Sequence, residues 1–254
     1  MKLKEKIAVV TGASTGIGRA IAEAIAANGG RVALVARSTS RLQETKNLIQ
    51  SSGGEARVFP TDLRDEKAIN NLASDVLEVW GDIDVLVHAA GVWHDGNSVY
   101  EGIPLANMPV ERINEGLDVQ IRAPMLLTRL FLPGMMQKKQ GKILAITGTF
   151  ERGGIGWLDY YVAKLALEHF IIGLARELRE YEIQVNAISP SFTATEAACR
   201  FFPEDVKTAI SPAEVAKLAI FLLSEDADHI SGQSIVIKNK AEHRWSTLLP
   251  VAKK

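Results

Sequence analysis

One cysteine, Cys199, stands in a chain of 254 residues. No disulfide can form within the chain, and no cysteine-based zinc site can be built. That composition suits a reducing, cytoplasmic setting, with Cys199 a bystander. No apolar run is long enough to cross a bilayer. The opening MKLKEKIAVVTG runs straight into a structural motif, not through the apolar core of a signal peptide. A surplus of one charge is also missing: 29 Lys and Arg face 30 Asp and Glu, a net charge of −1. With no basic block, there is no electrostatic case for nucleic acid or an anionic membrane as partner. Aromatic residues are only 6% of the chain, so any place where they gather carries information.

What is present is a steady alternation of short apolar runs and helical patterns. At 47% hydrophobic, the chain can bury a core, and disorder is excluded. Strands are expected at Lys6–Thr11, Arg31–Ala36, Ala56–Pro60, Ile83–His88, Lys142–Thr147, Ile183–Ser189 and Ser234–Lys238. Helices are expected at Gly16–Ala27, Thr39–Gln50, Asp65–Trp80, Glu111–Lys138 (kinked at Pro124), Leu158–Tyr181 and Pro212–Leu223. Strands apolar on both faces and separated by helices imply a parallel sheet covered on both sides. The fold class is therefore α/β, a doubly wound Rossmann-like sheet, and the unbroken alternation makes residues 1–254 one domain.

The first strand meets the first helix through Thr11-Gly12-Ala13-Ser14-Thr15-Gly16-Ile17-Gly18. Gly12 permits a tight turn, Gly16 lets the backbone approach a pyrophosphate, and Gly18 lets the helix pack closely. The helix N-terminus offers unpaired N–H groups and partial positive charge to that anion. A glycine-rich turn alone is weak, but between a strand and a helix it points to a dinucleotide. The second strand ends Val35-Ala36-Arg37-Ser38, with no acid for a ribose 2′-hydroxyl. Arg37 can pair with a 2′-phosphate instead, which favours NADP(H).

With TGASTGIG in place, Tyr160-Tyr161-Val162-Ala163-Lys164 fits a Y-x-x-x-K pattern. Together they make the chain resemble the short-chain dehydrogenase/reductase family. The resemblance runs on through Thr61-Asp62-Leu63, Ala90-Gly91, Val185-Asn186 with Pro190, and Ile230-Ser231-Gly232-Gln233. It implies that Tyr160 is the general acid/base and that Lys164 lowers its pKa and holds the ribose. It also implies that Asp62 and Leu63 receive the adenine, and that Ser14, Thr15, Ser38, Ala89, Ala90, Gly91 and Thr193 join the cofactor site. Tyr160 and Lys164, four apart on a helix, do share a face, and an ammonium beside a phenol favours the phenolate. Tyr161 is excluded as the acid, because four residues on lies Leu165.

Departures from the family pattern gather at the site. The usual serine after the fifth strand falls on Gly148 when aligned on the strand, and on Thr147 when counted back from Tyr160; Thr149 is the reserve. The usual helix asparagine is Gln120, which keeps the amide. The usual Asn-Asn-Ala-Gly is His88-Ala89-Ala90-Gly91, and Ala89 cannot tie strands together; His88 reads as a hydrogen-bonded sheet residue. The usual Pro-Gly is Pro190-Ser191, and the acidic-Gly-Gly tail is Lys238-Asn239-Lys240.

Three loops should surround the substrate beyond the carboxyl ends of the strands: Val92–Ser98, Thr149–Leu158 and Ser191–Ile210. They carry Trp93, His94, Phe150, Trp157, Phe192, Phe201 and Phe202, a concentration that suits an apolar or ring-bearing substrate. His94, Glu151 and Arg152 could read polar substituents. The resulting expectation is an NADP(H)-dependent carbonyl reductase or alcohol dehydrogenase, free of metal. A catalytically silent NADP(H)-binding protein is the alternative. Apolar residues on more than one face of the two long helical stretches (Leu126, Leu127, Leu130, Phe131; Phe170, Ile171, Ile172, Leu174) lead to an expected homodimer or homotetramer.

Overall fold

The computed structural model describes residues 1–149, 154 and 156–238. Phe150, Glu151, Arg152, Asn239 and Lys240 therefore lie outside the described residues. Seven parallel strands form one sheet in the order β3-β2-β1-β4-β5-β6-β7. They are β1 (Ile7–Thr11), β2 (Arg31–Ala36), β3 (Glu55–Pro60), β4 (Val85–His88), β5 (Gly141–Ile146), β6 (Ile183–Pro190) and β7 (Ser234–Ile237). The order reverses between β1 and β4, and such a switch opens a crevice at the carboxyl ends of the strands.

Alternation along each strand divides the core in two. Ala8, Val10, Val32 and Leu34 face helices α1 (Gly16–Ala27), α2 (Thr39–Ser51) and α8 (Pro212–Leu223). Ile7, Val9, Ala33 and Val35 face α3 (Glu66–Trp80), α5 (Ala123–Lys138) and α6 (Leu158–Glu177). All five residues of β1 are buried. The strands read as apolar on both faces because both faces are covered.

The expected helix over Glu111–Lys138 is two helices, α4 (Val110–Leu117) and α5, joined by a π-helical turn at Asp118–Arg122. The break precedes Pro124. Proline has no N–H for the Gln120 carbonyl four residues back, so the ladder widens there, and Pro124 sits in the first turn of α5 where no donor is needed. A further short helix, α7 (Glu196–Phe201), was not expected. Leu127, Phe131, Ile171 and Leu174 are buried in the core, while Leu126, Leu130 and Phe170 pack against it. The exposed apolar residues of α4–α6 are others: Val110, Leu117, Met125, Leu158 and Val162.

Candidate functional site

The glycine loop is shaped by close backbone approaches. Gly12 has φ +69°, and a Cβ there would lie 2.9 Å from the carbonyl of Ala89. A Cβ on Gly18 would lie 2.3 Å from the Gly12 oxygen, so Gly18 serves the fold of the loop itself as well as helix packing. The tie that Ala89 cannot make comes from Thr11. Its hydroxyl donates to the Val87 carbonyl (3.2 Å) and accepts from the N–H groups of Ala89 and Ala90 (3.1 and 3.3 Å). The sequence reading missed this residue, although a threonine ending the first strand was visible.

Beyond the switch point lies a cavity of about 690 Å³. Every described residue expected to be catalytic or to bind the cofactor lines it except Gln120, which lies just behind Gly91. A larger opening, about 950 Å³, sits at the opposite end of the sheet and holds none of them; ligands of open α/β sheets bind at the carboxyl ends.

At the floor, Lys164 is buried and its ammonium donates to the Ile146 carbonyl at 2.8 Å. It lies 5.5 Å from the centre of the Tyr160 ring. A Cβ on Gly91 would stand 3.4 Å from Gln120 Oε1 and 3.5 Å from Lys164 Nζ, so amide and ammonium flank one glycine. Gln120 is completely buried, and neither its Oε1 nor its Nε2 has a partner among the described residues. A buried primary amide left so is costly, and it sits in the π-helical turn, a device common at functional sites.

Tyr160 shows part of its ring to the cavity. Burial nonetheless pushes its pKa up to about 12, and pushes that of Lys164 down to about 8. This runs opposite to the expectation of a lowered tyrosine pKa: burial disfavours the phenolate.

The threonines after β5 face away from a donor's task. Thr147 Oγ1 donates to the Ile188 carbonyl at 3.2 Å, and Thr149 Oγ1 to the Pro190 carbonyl at 3.4 Å. A hydroxyl whose proton is committed to a carbonyl offers only lone pairs, so Thr147 must give up that bond before it can hold a substrate's carbonyl oxygen. Replacing Thr147 with valine should therefore lower stability by about 1 kcal/mol and leave turnover and cofactor affinity nearly unchanged. Urea melts and steady-state kinetics check this, and a large loss of turnover would return the substrate-holding role to Thr147.

At the nucleotide end, Arg37 is exposed and pairs with Glu115 of α4 at 3.6 Å. Such an exposed pair contributes under about 1 kcal/mol, and it leaves the guanidinium free to turn to a phosphate. Asp62 is tied to Arg64 at 2.6 Å, which holds its carboxyl below the usual range. An adenine amine would share that carboxylate with Arg64. Ser38 caps α2, accepting from the Arg41 N–H. Thr193 Oγ1 donates to the Ser191 carbonyl (2.9 Å). Thr195 lies closer to the glycine loop, and its methyl would be 2.9 Å from a Cβ on Gly16. Thr195 and Glu196 fall in the Ser191–Ile210 loop but received no role from the sequence, though a threonine followed by an acid is a helix-start signal.

The expected aromatic gathering is present. Trp93 is its hub, 6.2 Å from Trp157, 6.0 Å from Phe201 and 6.2 Å from Phe202, with Phe192 against Phe202 at 5.9 Å. His94 is occupied locally, its Nδ1 accepting from the Gly96 N–H. His88 is the expected sheet residue: Nε2 lies 3.0 Å from Thr128 Oγ1, and burial brings its pKa down to about 3. Among the described residues no cluster of metal ligands exists, and no helix is long and apolar enough to cross a membrane.

The residues present fit a nicotinamide dinucleotide: a close-approach loop of glycines opens α1 and lines the cavity. The family model for short chain dehydrogenases matches residues 6–205. The chain is 31% identical to 3-oxoacyl-acyl-carrier-protein reductase FabG of Escherichia coli K12, over 92% of this chain and 96% of that one. A 7α-hydroxysteroid dehydrogenase complexed with NADH and 7-oxo glycochenodeoxycholic acid superposes with a TM-score of 0.85 at 27% identity, covering 93% and 94% of the two chains. A metagenomic short-chain oxidoreductase in complex with NADP superposes at 0.81 and 31% identity, covering 94% and 99%. The family model spans most of the chain and the fold superposes on these structures, and the chain belongs to the short-chain dehydrogenase family of oxidoreductases.

Proposed function

We propose that the protein is an NADP(H)-dependent oxidoreductase interconverting a carbonyl and an alcohol on a ring-bearing, largely apolar substrate. One observation carries the reading: Lys164 and Gln120 flank Gly91 at the floor of the cavity that Tyr160 also lines. When bound, the nicotinamide supplies or accepts hydride. Tyr160 donates a proton to the carbonyl oxygen in reduction and takes it back in oxidation. Lys164 stabilises the phenolate left behind and reaches the ribose hydroxyls. Gln120 presents its amide beside that ammonium. With its pKa at about 12, Tyr160 stays protonated at neutral pH. The aromatic wall around Trp93 would bury rings and exclude water, in keeping with a steroid ligand in one structural relative.

A panel of cyclic and aromatic ketones, screened with NADPH and NADH for loss of absorbance at 340 nm, tests the reading. A second reading, a silent cofactor-binding protein, draws support from the usual serine position falling on Gly148 when aligned on the strand, and from the committed hydroxyls of Thr147 and Thr149. NADPH binding with no turnover across the panel would select it.

Arg37 supports NADP(H). NADPH should bind at least tenfold tighter than NADH, about 1.4 kcal/mol, and Arg37→Asp should erase or invert the preference. Calorimetric titration checks it, and equal affinities in the unaltered protein would sink the assignment.

A reducing, cytoplasmic setting suits the exposed, unpaired Cys199. The exposed residues Val110, Leu117, Met125, Leu158 and Val162 support a dimer or tetramer formed through α4–α6. Light scattering at micromolar concentration should give at least twice the chain mass; a monomer would count against it.

A further inference from the structure

Glu196 begins α7, yet its carboxylate lies on the glycine loop. Oε2 accepts the Gly16 N–H at 2.8 Å. Oε1 stands 3.2 Å from Arg19 Nη1. The same guanidinium donates through Nε and Nη2 to the Ser14 carbonyl, at 3.2 and 2.6 Å. One arginine thus holds the loop and the carboxylate together. Gly16 is the first residue of α1, and Thr15 before it makes no side-chain cap. The carboxylate therefore serves as a remote cap on the positive end of that helix.

We propose that Glu196 sets the affinity of this loop for a dinucleotide's pyrophosphate, by occupying the Gly16 N–H with its own carboxylate until the pyrophosphate displaces it. The proposal rests on the cofactor reading above. A pyrophosphate seeks the N–H groups at the start of α1, and a carboxylate within reach of it adds like-charge repulsion. The carboxylate is displaceable because the Glu196 side chain is more than half exposed, and so can turn into water. Once it leaves, Arg19 Nη1 loses a carboxylate partner and is released to pair with the incoming anion. Binding then exchanges one charge-assisted contact for another, which keeps cofactor affinity moderate.

The test is calorimetric titration of the full chain and two variants, Glu196→Gln and Glu196→Ala, with thermal melts to confirm folding. NADPH and ADP-ribose should both bind about tenfold tighter to either variant. Adenosine 2′-phosphate lacks the pyrophosphate, so its affinity should not change. Glu44 also lies near Arg19, at 3.8 Å, without touching the Gly16 N–H. Glu44→Gln should shift NADPH binding by less than about threefold at 0.15 M salt, where charges are screened over about 8 Å. Unchanged or weaker NADPH binding in both Glu196 variants overturns the proposal alone, as does an equal gain for adenosine 2′-phosphate or in Glu44→Gln. Absence of NADPH binding in the unaltered protein and in every variant overturns the cofactor reading and the proposal together.

Discussion

Tyr160→Phe should abolish all but about one hundredth of turnover or less, the usual worth of a positioned acid, while NADPH binds as before. The change deletes one oxygen and keeps the ring that packs against Trp157 at 6.3 Å, so fold and cavity wall should persist. Its hydroxyl is the proton source the proposed reaction needs, and neither Thr147 nor Thr149 is placed to substitute, because each donates to a β6 carbonyl. Tyr161 cannot take over either, since the lysine lies one helical turn from Tyr160. Kinetics alongside a binding titration separate the two effects. Retained turnover in the phenylalanine variant would overturn the mechanism.

Lys164→Ala should damage both binding and turnover, with turnover again falling a hundredfold or more. Phenolate formation on Tyr160 loses a cation at the floor, and the ribose loses a donor. The pH dependence carries the signature. Lys164 has a pKa of about 8 in the fold, while Tyr160 remains a phenol up to about 12. Reductive turnover should therefore be level below about pH 8 and fall as the ammonium is lost above it. In Lys164→Ala the residual rate should lack that fall.

The same shift predicts a stability effect. Below pH 8, folded and unfolded chains both carry the charge, and the fold bears the full cost of burying it. Between 8 and 10.5 the unfolded chain keeps a proton that the fold has released, so this contribution to stability rises with pH. Lys164→Met removes the cost, on the order of 3 kcal/mol at neutral pH, less the bond lost to the Ile146 carbonyl. Urea melts at pH 7 and pH 10 should show the variant's stability relative to the unaltered protein declining with pH. A pH-independent difference would contradict the burial assigned to Lys164.

Local spacing by itself determined the architecture. β-Branched runs alternating with 3.6-residue patterns, such as Ile69, Leu72 and Val76 on α3, can be covered only in a parallel sheet flanked by helices. The glycine loop was legible because it is a contiguous turn between a strand and a helix; helix spacing placed Tyr160 and Lys164 on one face, and their proposed roles came from the resemblance to the family. Spacing did not reveal what arrives from elsewhere in the chain. Glu115 reaches Arg37 across 78 residues, and Glu196 reaches Gly16 across 180. Hydroxyl direction at Thr147 depends on β6, a partner strand that the sequence orders but does not position. The turn at Asp118–Arg122 depends on how Pro124 is absorbed, by kinking or by widening the ladder ahead of it. The tyrosine pKa moved opposite to the pairwise expectation because desolvation sums over everything packed around the hydroxyl, and only the folded chain defines that surrounding.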